Sequence, residues 1–198
     1  MSLKPAFAVA LLALFAAACQ PDNGGTAAGP AVSATPASLT SFKTGQFAEL
    51  DLDQDMTTPA STFVDAAGKP HTMAEFRGKV VVFNIWAEWC GPCVEEMPTL
   101  AGLQKAFAGK DVVVVPIAFG YPEAMGSAKA KLHELVGDGL PFYYDDKFNV
   151  NADAKSGAFP STIIYDKTGK EAARLVYPAK WDAKDAVGLV QAVLDGAS

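Results

Sequence analysis

Cys90 and Cys93 are two thiols separated by two residues, and no other residues in this 198-residue chain define a chemistry so narrowly. Such a pair can close into a disulfide and reopen while the rest of the protein stays in place. Pro92 stiffens the short ring, and Gly91 leaves the outer sulfur accessible. A C-x-x-C can also be half of a zinc site, but zinc takes about four ligands. The third cysteine, Cys19, is far upstream, and His71 and His133 stand alone. A structural disulfide rarely spans so short a loop, because it removes little unfolded-chain entropy. The residues therefore point to thiol–disulfide exchange, with no metal and no cofactor expected.

The elements around the pair must hold it at a surface. Val80 to Trp86 is a nearly unbroken apolar run, which reads as a strand buried on both faces. Val94 to Phe107 carries Met97, Leu100, Ala101, Leu103 and Phe107 at helical spacing. The pair thus falls where a buried strand turns into a helix. That places Cys90 at a helix N-terminus, where free N–H groups and the macrodipole favour its thiolate.

The segment Trp86-Ala87-Glu88-Trp89-Cys90-Gly91-Pro92-Cys93 resembles the active-site segment of thioredoxin, and Pro98 matches the proline that kinks its active-site helix. Further motifs resemble the TlpA/ResA-type periplasmic thiol–disulfide oxidoreductases. These are Asp65 to Pro70, Phe76 to Val80, Phe159 to Asp166 and Tyr177 to Asp182, and the likeness covers about residues 43 to 198. The resemblance implies an α/β thioredoxin fold: a central mixed sheet flanked by helices, with an N-terminal extension and a helical insertion. It also implies that Trp89, Gly91, Pro92, Phe159 and Pro160 form the substrate-binding surface. The Phe159–Pro160 peptide would be cis, so that neighbouring backbone can pair with an extended client. Phe159 is larger than the residue common at that position in relatives.

Glu96 lies three residues after Cys93 and so returns to the same side of the helix. In thioredoxin a buried aspartate assists the inner thiol, and Asn84 takes its place here. TlpA/ResA-type proteins are similar in having that asparagine and a glutamate at the position of Glu96. By that likeness Glu96 is catalytic with Cys90 and Cys93, accepting and returning the dithiol proton with a pKa raised by burial. The alternative is a plain surface charge beside Glu95 in the first helical turn.

Val112 to Ile117 reads as a second buried strand, and Ala124 to Val136 as a helix stopped at Gly137. This helix falls at the place of the family's insertion. Thr162 to Tyr165 and Ala172 to Val176 flank a turn and read as a hairpin. The last helix is expected from Asp182 as N-cap, burying Val187, Leu189, Val190, Val193 and Leu194. A mixed segment from Phe42 to Asp55 is expected to add a strand or hairpin. His71 and His133 are expected to face solvent, Met97 to fill the core, and Trp181 to pack the last helix onto the sheet.

Half of the residues are hydrophobic and the net charge is −6, with no cluster of Lys and Arg, which argues against nucleic acid as a partner. Residues 1–18 read as a signal peptide: Lys4, then an apolar stretch from Ala6 to Ala18 too short to span a membrane. The following Cys19 resembles the lipid-attachment site of bacterial lipoproteins, with Gln20 similar to an outer-membrane sorting signal. Ordinary cleavage after Ala18, leaving a free thiol, is the alternative. Residues 19–42 read as a flexible tether and residues 43–198 as one thioredoxin-like domain.

The resemblance implies a periplasmic, lipid-anchored, monomeric disulfide reductase of a Gram-negative bacterium. Its clients would be exported proteins such as apocytochrome c or the copper-site subunits of respiratory oxidases. A membrane thiol-transporting reductant would be its electron source. A disulfide-forming oxidase and a non-catalytic periplasmic metallochaperone are the alternatives.

Overall fold

The computed structural model describes residues 39–196. Cys19, residues 1–18 and most of the tether lie outside the described residues.

Seven strands form one mixed sheet. In chain order the elements are β1 (Phe63–Asp65), β2 (Pro70–His71), β3 (Val80–Trp86), α1 (Gly91–Ala106), β4 (Val112–Phe119) and α2 (Met125–Val136). There follow β5 (Tyr143–Asp145), α3 (Asn149–Ala154), β6 (Ser161–Tyr165), β7 (Glu171–Leu175) and α4 (Lys184–Gly196). Across the sheet the strands run β2-β1-β5-β4-β3-β6-β7. Parallel neighbours need a crossover, and α1 and α2 supply it between β3, β4 and β5. The β6–β7 hairpin closes the far side, antiparallel to β3. This is the thioredoxin arrangement.

β3 has all seven residues buried, which explains its lack of polar alternation. Its one polar side chain, Asn84, is fully buried. α1 inserts Cys93, Met97, Leu100 and Leu103 into the core, and Glu96 lies on the same stripe. Pro98 sits inside α1, removing the N–H that would bond the carbonyl of Val94 without ending the helix. α1 packs against β4, α2 and α4, while α4 lies on β3. Gly102 is what lets the chain before α4 come close: a Cβ there would stand 2.8 Å from the Cβ of Asp182.

Several elements differ from the sequence expectation. The Phe42–Asp55 segment contributes no strand or hairpin; it holds a 3-10 turn at Gly45–Phe47 and one isolated bridge, Asp51 to Arg174 of β7. Phe47 and Leu50, three apart, are both buried, which suits a 3-10 repeat and not the alternation of a strand. Asp182 is not the N-cap of the last helix, which begins at Lys184. Within α4, Leu189, Val190 and Val193 are buried as expected, whereas Val187 and Leu194 are half-buried. β5 and α3 carry too few residues to show a period, and their place was not readable in advance.

His71 does not face solvent. Pairing of β2 with β1 sets it opposite Phe63, and its ring stands 5.5 Å from that of Tyr143. Its nitrogens lie 3.1 Å from Asp65 and 2.9 Å from Glu75. Hydrogen bonds to those carboxylates, Glu75 foremost, raise the histidine pKa. His133 is exposed and Met97 fully buried, both as expected.

Arg174 on β7 ties the lower half of the fold together. It donates to both carboxylate oxygens of buried Glu171, at 2.8 and 2.9 Å, and to the carbonyls of Ala154 and Lys155 at the end of α3. Removing one partner of a buried pair leaves an uncompensated charge, at a cost of roughly 3 kcal/mol or more. Arg174→Met should therefore lower the urea midpoint by that equivalent with the disulfide intact and the slope unchanged. A loss below about 1 kcal/mol would show that the pair does not hold α3 in place.

Candidate active site

Cys90 and Cys93 are joined by a disulfide at the start of α1, their Cα atoms 5.3 Å apart. Cys90 is the N-cap, in extended backbone, and its sulfur accepts from the N–H of Cys93 at 3.3 Å. That places the helix-dipole stabilisation on the outer sulfur, as the sequence predicts. Cys90 is 8% exposed and Cys93 is fully buried, so an incoming group meets Cys90 first. Gly91 and Pro92 form the first turn, and a Cβ at Gly91 would meet nothing within 4 Å. Gly91, next to Cys90, faces open space.

Glu96, three residues after Cys93 on the buried stripe of α1, is 2% exposed, so it is not a surface charge. One oxygen accepts from Asn84 Nδ2 at 2.7 Å. The other accepts from the N–H of Ala179 at 3.2 Å and from the indole N–H of Trp181 at 3.3 Å. Burial pushes the Glu96 pKa up to about 7, against the three hydrogen bonds that favour the carboxylate. Asn84 Nδ2 also donates to Thr162 at 2.9 Å, and Asn84 Oδ1 has no partner. Rotating the Asn84 amide exchanges donor for acceptor, so this one side chain can serve Glu96 in its charged or its protonated form. Glu96 also lines a pocket of about 420 Å³ between Pro92 and the Pro178–Lys180 segment. The buried acid therefore has a route to water.

The Phe159–Pro160 peptide is cis. Pro160 precedes Ser161, which pairs with Ile85 of β3, so the loop lies beside the end of the strand that leads to the cysteines. Phe159 packs on Phe119 with centroids 4.3 Å apart, and Trp89 meets the same ring edge-on at 6.0 Å. Trp89, 70% exposed, stands at the rim. Of the five residues expected to form a substrate surface, Trp89, Gly91 and Pro92 adjoin the cysteines in the chain, and Phe159 joins Trp89 through the ring of Phe119.

Three contributors were not picked out as site residues from sequence. Trp181 was expected only to pack the last helix; its ring lies on Phe47 at 5.6 Å and its N–H reaches Glu96. Ala179 acts through its backbone, which no residue type can reveal. Thr162 shares the Asn84 amide. The signal for the first two was their segment, Tyr177 to Asp182, one of the motifs that resembles the family. No group of three or more metal-ligating side chains is present among the described residues.

With that geometry in view, the Redoxin family matches residues 53–190. The chain belongs to the Redoxin family. The thioredoxin-like protein YneN of Bacillus subtilis is 31% identical over 133 residues, covering 65% of this chain and 74% of its own. The thiol-disulfide oxidoreductase ResA of Geobacillus kaustophilus is 30% identical over 114 residues, covering 58% of this chain. The chain spans 64% of that relative's length. A structure described as a putative thiol:disulfide interchange protein DsbE from Chlorobium tepidum superposes with a TM-score of 0.62 at 22% identity. It covers 73% of this chain and 99% of its own, a likeness that shows the fold alone. Within the Redoxin family the chain is of the TlpA/ResA type, an enzyme of the thiol:disulfide oxidoreductase class.

For this redoxin the state of Glu96 is readable as stability. Its folded pKa is raised from 4.5 to about 7, so the folded protein holds the proton more tightly than the unfolded chain. The associated stability is complete below about pH 4.5 and is lost as pH rises through about 7. The loss is on the order of 3 kcal/mol. Glu96→Gln stays neutral, so its stability relative to wild type should climb by that order between pH 4.5 and 8. Urea unfolding of the two oxidised proteins across that range measures it, and a flat difference would contradict the raised pKa.

Proposed function

We propose that this redoxin is an exported protein-disulfide reductase working through the Cys90–Cys93 pair. The observation that carries the reading is the asymmetry of the pair: an edge sulfur at a helix N-terminus over a fully buried one, with a buried carboxylate beneath. The Cys90 thiolate attacks one sulfur of a client disulfide, that bond breaks, and the released client sulfur takes a proton. Cys93 then loses its proton and attacks Cys90, expelling the second client thiol and leaving the protein oxidised. Two electrons pass to the client, and two protons complete its thiols. Glu96, with a pKa near 7, is suited to take the proton of Cys93 and pass it through the pocket beside Pro92. Trp89, Gly91, Pro92, Phe159 and Pro160 hold the client segment.

The same reading places the domain outside the cytoplasm, sent there by residues 1–18 and anchored through lipid on Cys19. Among the described residues no helix is long and apolar enough to cross a membrane. Clients are exported proteins with unwanted disulfides, such as apocytochrome c or oxidase copper-site subunits. In an oxidising compartment a reductase must be recharged, so a membrane thiol-transporting partner supplies the electrons. The protein acts as a monomer.

Incubating reduced Cys93→Ser with a disulfide-bonded client peptide should trap a covalent adduct on Cys90, whereas Cys90→Ser should trap none. Equal trapping by both would overturn the assignment of nucleophile and resolving thiol.

Direction is tested by a redox titration of the pair against dithiothreitol buffers. Cys90-Gly91-Pro92-Cys93 has the thioredoxin dipeptide, and neither Gly91 nor Pro92 adds charge to stabilise a thiolate. The midpoint should fall nearer to about −270 mV than to the roughly −120 mV of strong oxidants, a gap worth on the order of 7 kcal/mol. A value at the oxidising limit would make the protein a disulfide donor.

A further inference from the structure

A pocket of about 280 Å³ is lined by Trp89, the residue that precedes Cys90 in the chain. Its walls are the rings of Trp89, Phe119, Tyr121 and Phe148. Pockets that enclose small-molecule ligands start at roughly 300 Å³, so this one is sized for a single large side chain. Tyr121 is 68% exposed and meets Phe148 edge-on at 5.5 Å, and Phe148 meets Phe119 at 5.9 Å. Trp89 and Tyr121, both exposed, thus stand at one opening.

The pocket is built, not left over. Tyr144 sends its hydroxyl across the floor to the carbonyl of Tyr121 at 2.8 Å. A Cβ at Gly120 would stand 2.5 Å from that hydroxyl, so only glycine allows the crossing. Phe148 sits in left-handed backbone at φ 60°, where a bulky residue needs its surroundings to hold it. The buried carboxylate of Asp145 does so, accepting from the N–H groups of Asn149 and Asn151 at 3.1 Å each. That turn aims the Phe148 ring at Phe119.

Charge around the pocket has one dominant sign. Glu88 lines it, fixed by a 2.7 Å bond from Ser127. Glu88, Glu123, Asp146 and Asp145 all act on the Tyr144 hydroxyl, whose pKa is raised first by burial and then by these charges. Lys147 follows Asp146 in the chain and is exposed, and Lys155 lines a hollow that shares Phe148 but not Tyr121. The pocket is also continuous with the reacting groups, because Trp89 adjoins Cys90 and Phe119 carries the ring of Phe159, next to Pro160.

We propose that this pocket selects clients, taking one aromatic or leucine-sized side chain from an extended segment that carries basic residues on both sides of it. The proposal rests on the disulfide-reductase reading and names its substrate class. The apolar side chain enters between Tyr121 and Phe148 while its basic neighbours meet Glu88 and Glu123. The client cysteine then lies over Cys90.

The test uses the reduced full-length protein and three peptides, each closed by one disulfide. One flanks it with a phenylalanine between two lysines, one with a serine between two lysines, one with a phenylalanine between two glutamates. The readout is the second-order rate constant for oxidation of the protein, followed by quenching and alkylation. The lysine–phenylalanine peptide should react at least roughly tenfold faster than the serine peptide. Its lead over the glutamate peptide should be severalfold and shrink as salt rises. Tyr121→Ala should reduce the phenylalanine preference to about twofold or less, and Tyr121→Phe should retain it, which separates loss of the ring from loss of the fold. Glu123→Gln should narrow the lysine preference. Equal rates with all three peptides, or a preference untouched by Tyr121→Ala, overturns the pocket and leaves the reductase reading standing. Failure to oxidise with any peptide and with oxidised glutathione overturns both.

Discussion

A carboxylate held out of water beneath a disulfide is the constraint around which this domain is organised. Glu96 lies on the buried stripe of α1, where hydrocarbon would be the stabilising choice, and isolating its charge there is costly. The fold meets that cost with donors from three places: Asn84 on β3, the backbone of Ala179, and the indole of Trp181. Strand, active-site helix and the segment before the last helix are thereby fixed to one another. The compensation is partial, which is why the group titrates near neutrality. A fully satisfied carboxylate would stay charged and a wholly apolar site would keep it protonated.

The same arrangement separates the two sulfurs by environment. Cys90 has the helix N-terminus and the greater exposure, and Cys93 lies on the buried stripe that also carries Glu96. The pocket beside Pro92 reaches Glu96, and a separate aromatic pocket is lined by Trp89.

Support for these features comes from distant parts of the chain. Phe47, in the N-terminal segment, packs on Trp181 and so braces a donor to Glu96. Gly102 allows Asp182 to approach α1, which sets the path of the segment that carries Ala179. Arg174 holds the end of α3, and α3 starts directly after Phe148 of the aromatic wall. None of these residues touches the sulfurs.

The sequence by itself determined the chemistry and the frame. The spacing of Cys90 and Cys93, the apolar run of β3 and the helical stripe of α1 are local patterns, and local patterns survive in a one-dimensional reading. For Glu96 the sequence offered its spacing from Cys93, which sets it on the same side of the helix, while its role and that of Asn84 came with the resemblance to TlpA/ResA-type proteins. Tertiary structure decided what depends on residues far apart in the chain. Burial of Glu96 needs Trp181 and Ala179, more than eighty residues away, and only one of these acts through a side chain. The His71 environment needs Tyr143 from a strand too short to announce itself, and residues 42–55 form turns because Phe47 and Leu50 find the core three apart. The aromatic pocket is the clearest case: Trp89, Phe119, Tyr121 and Phe148 come from three segments and meet because Gly120 leaves room and Asp145 holds a turn. Packing of that kind has no period to read.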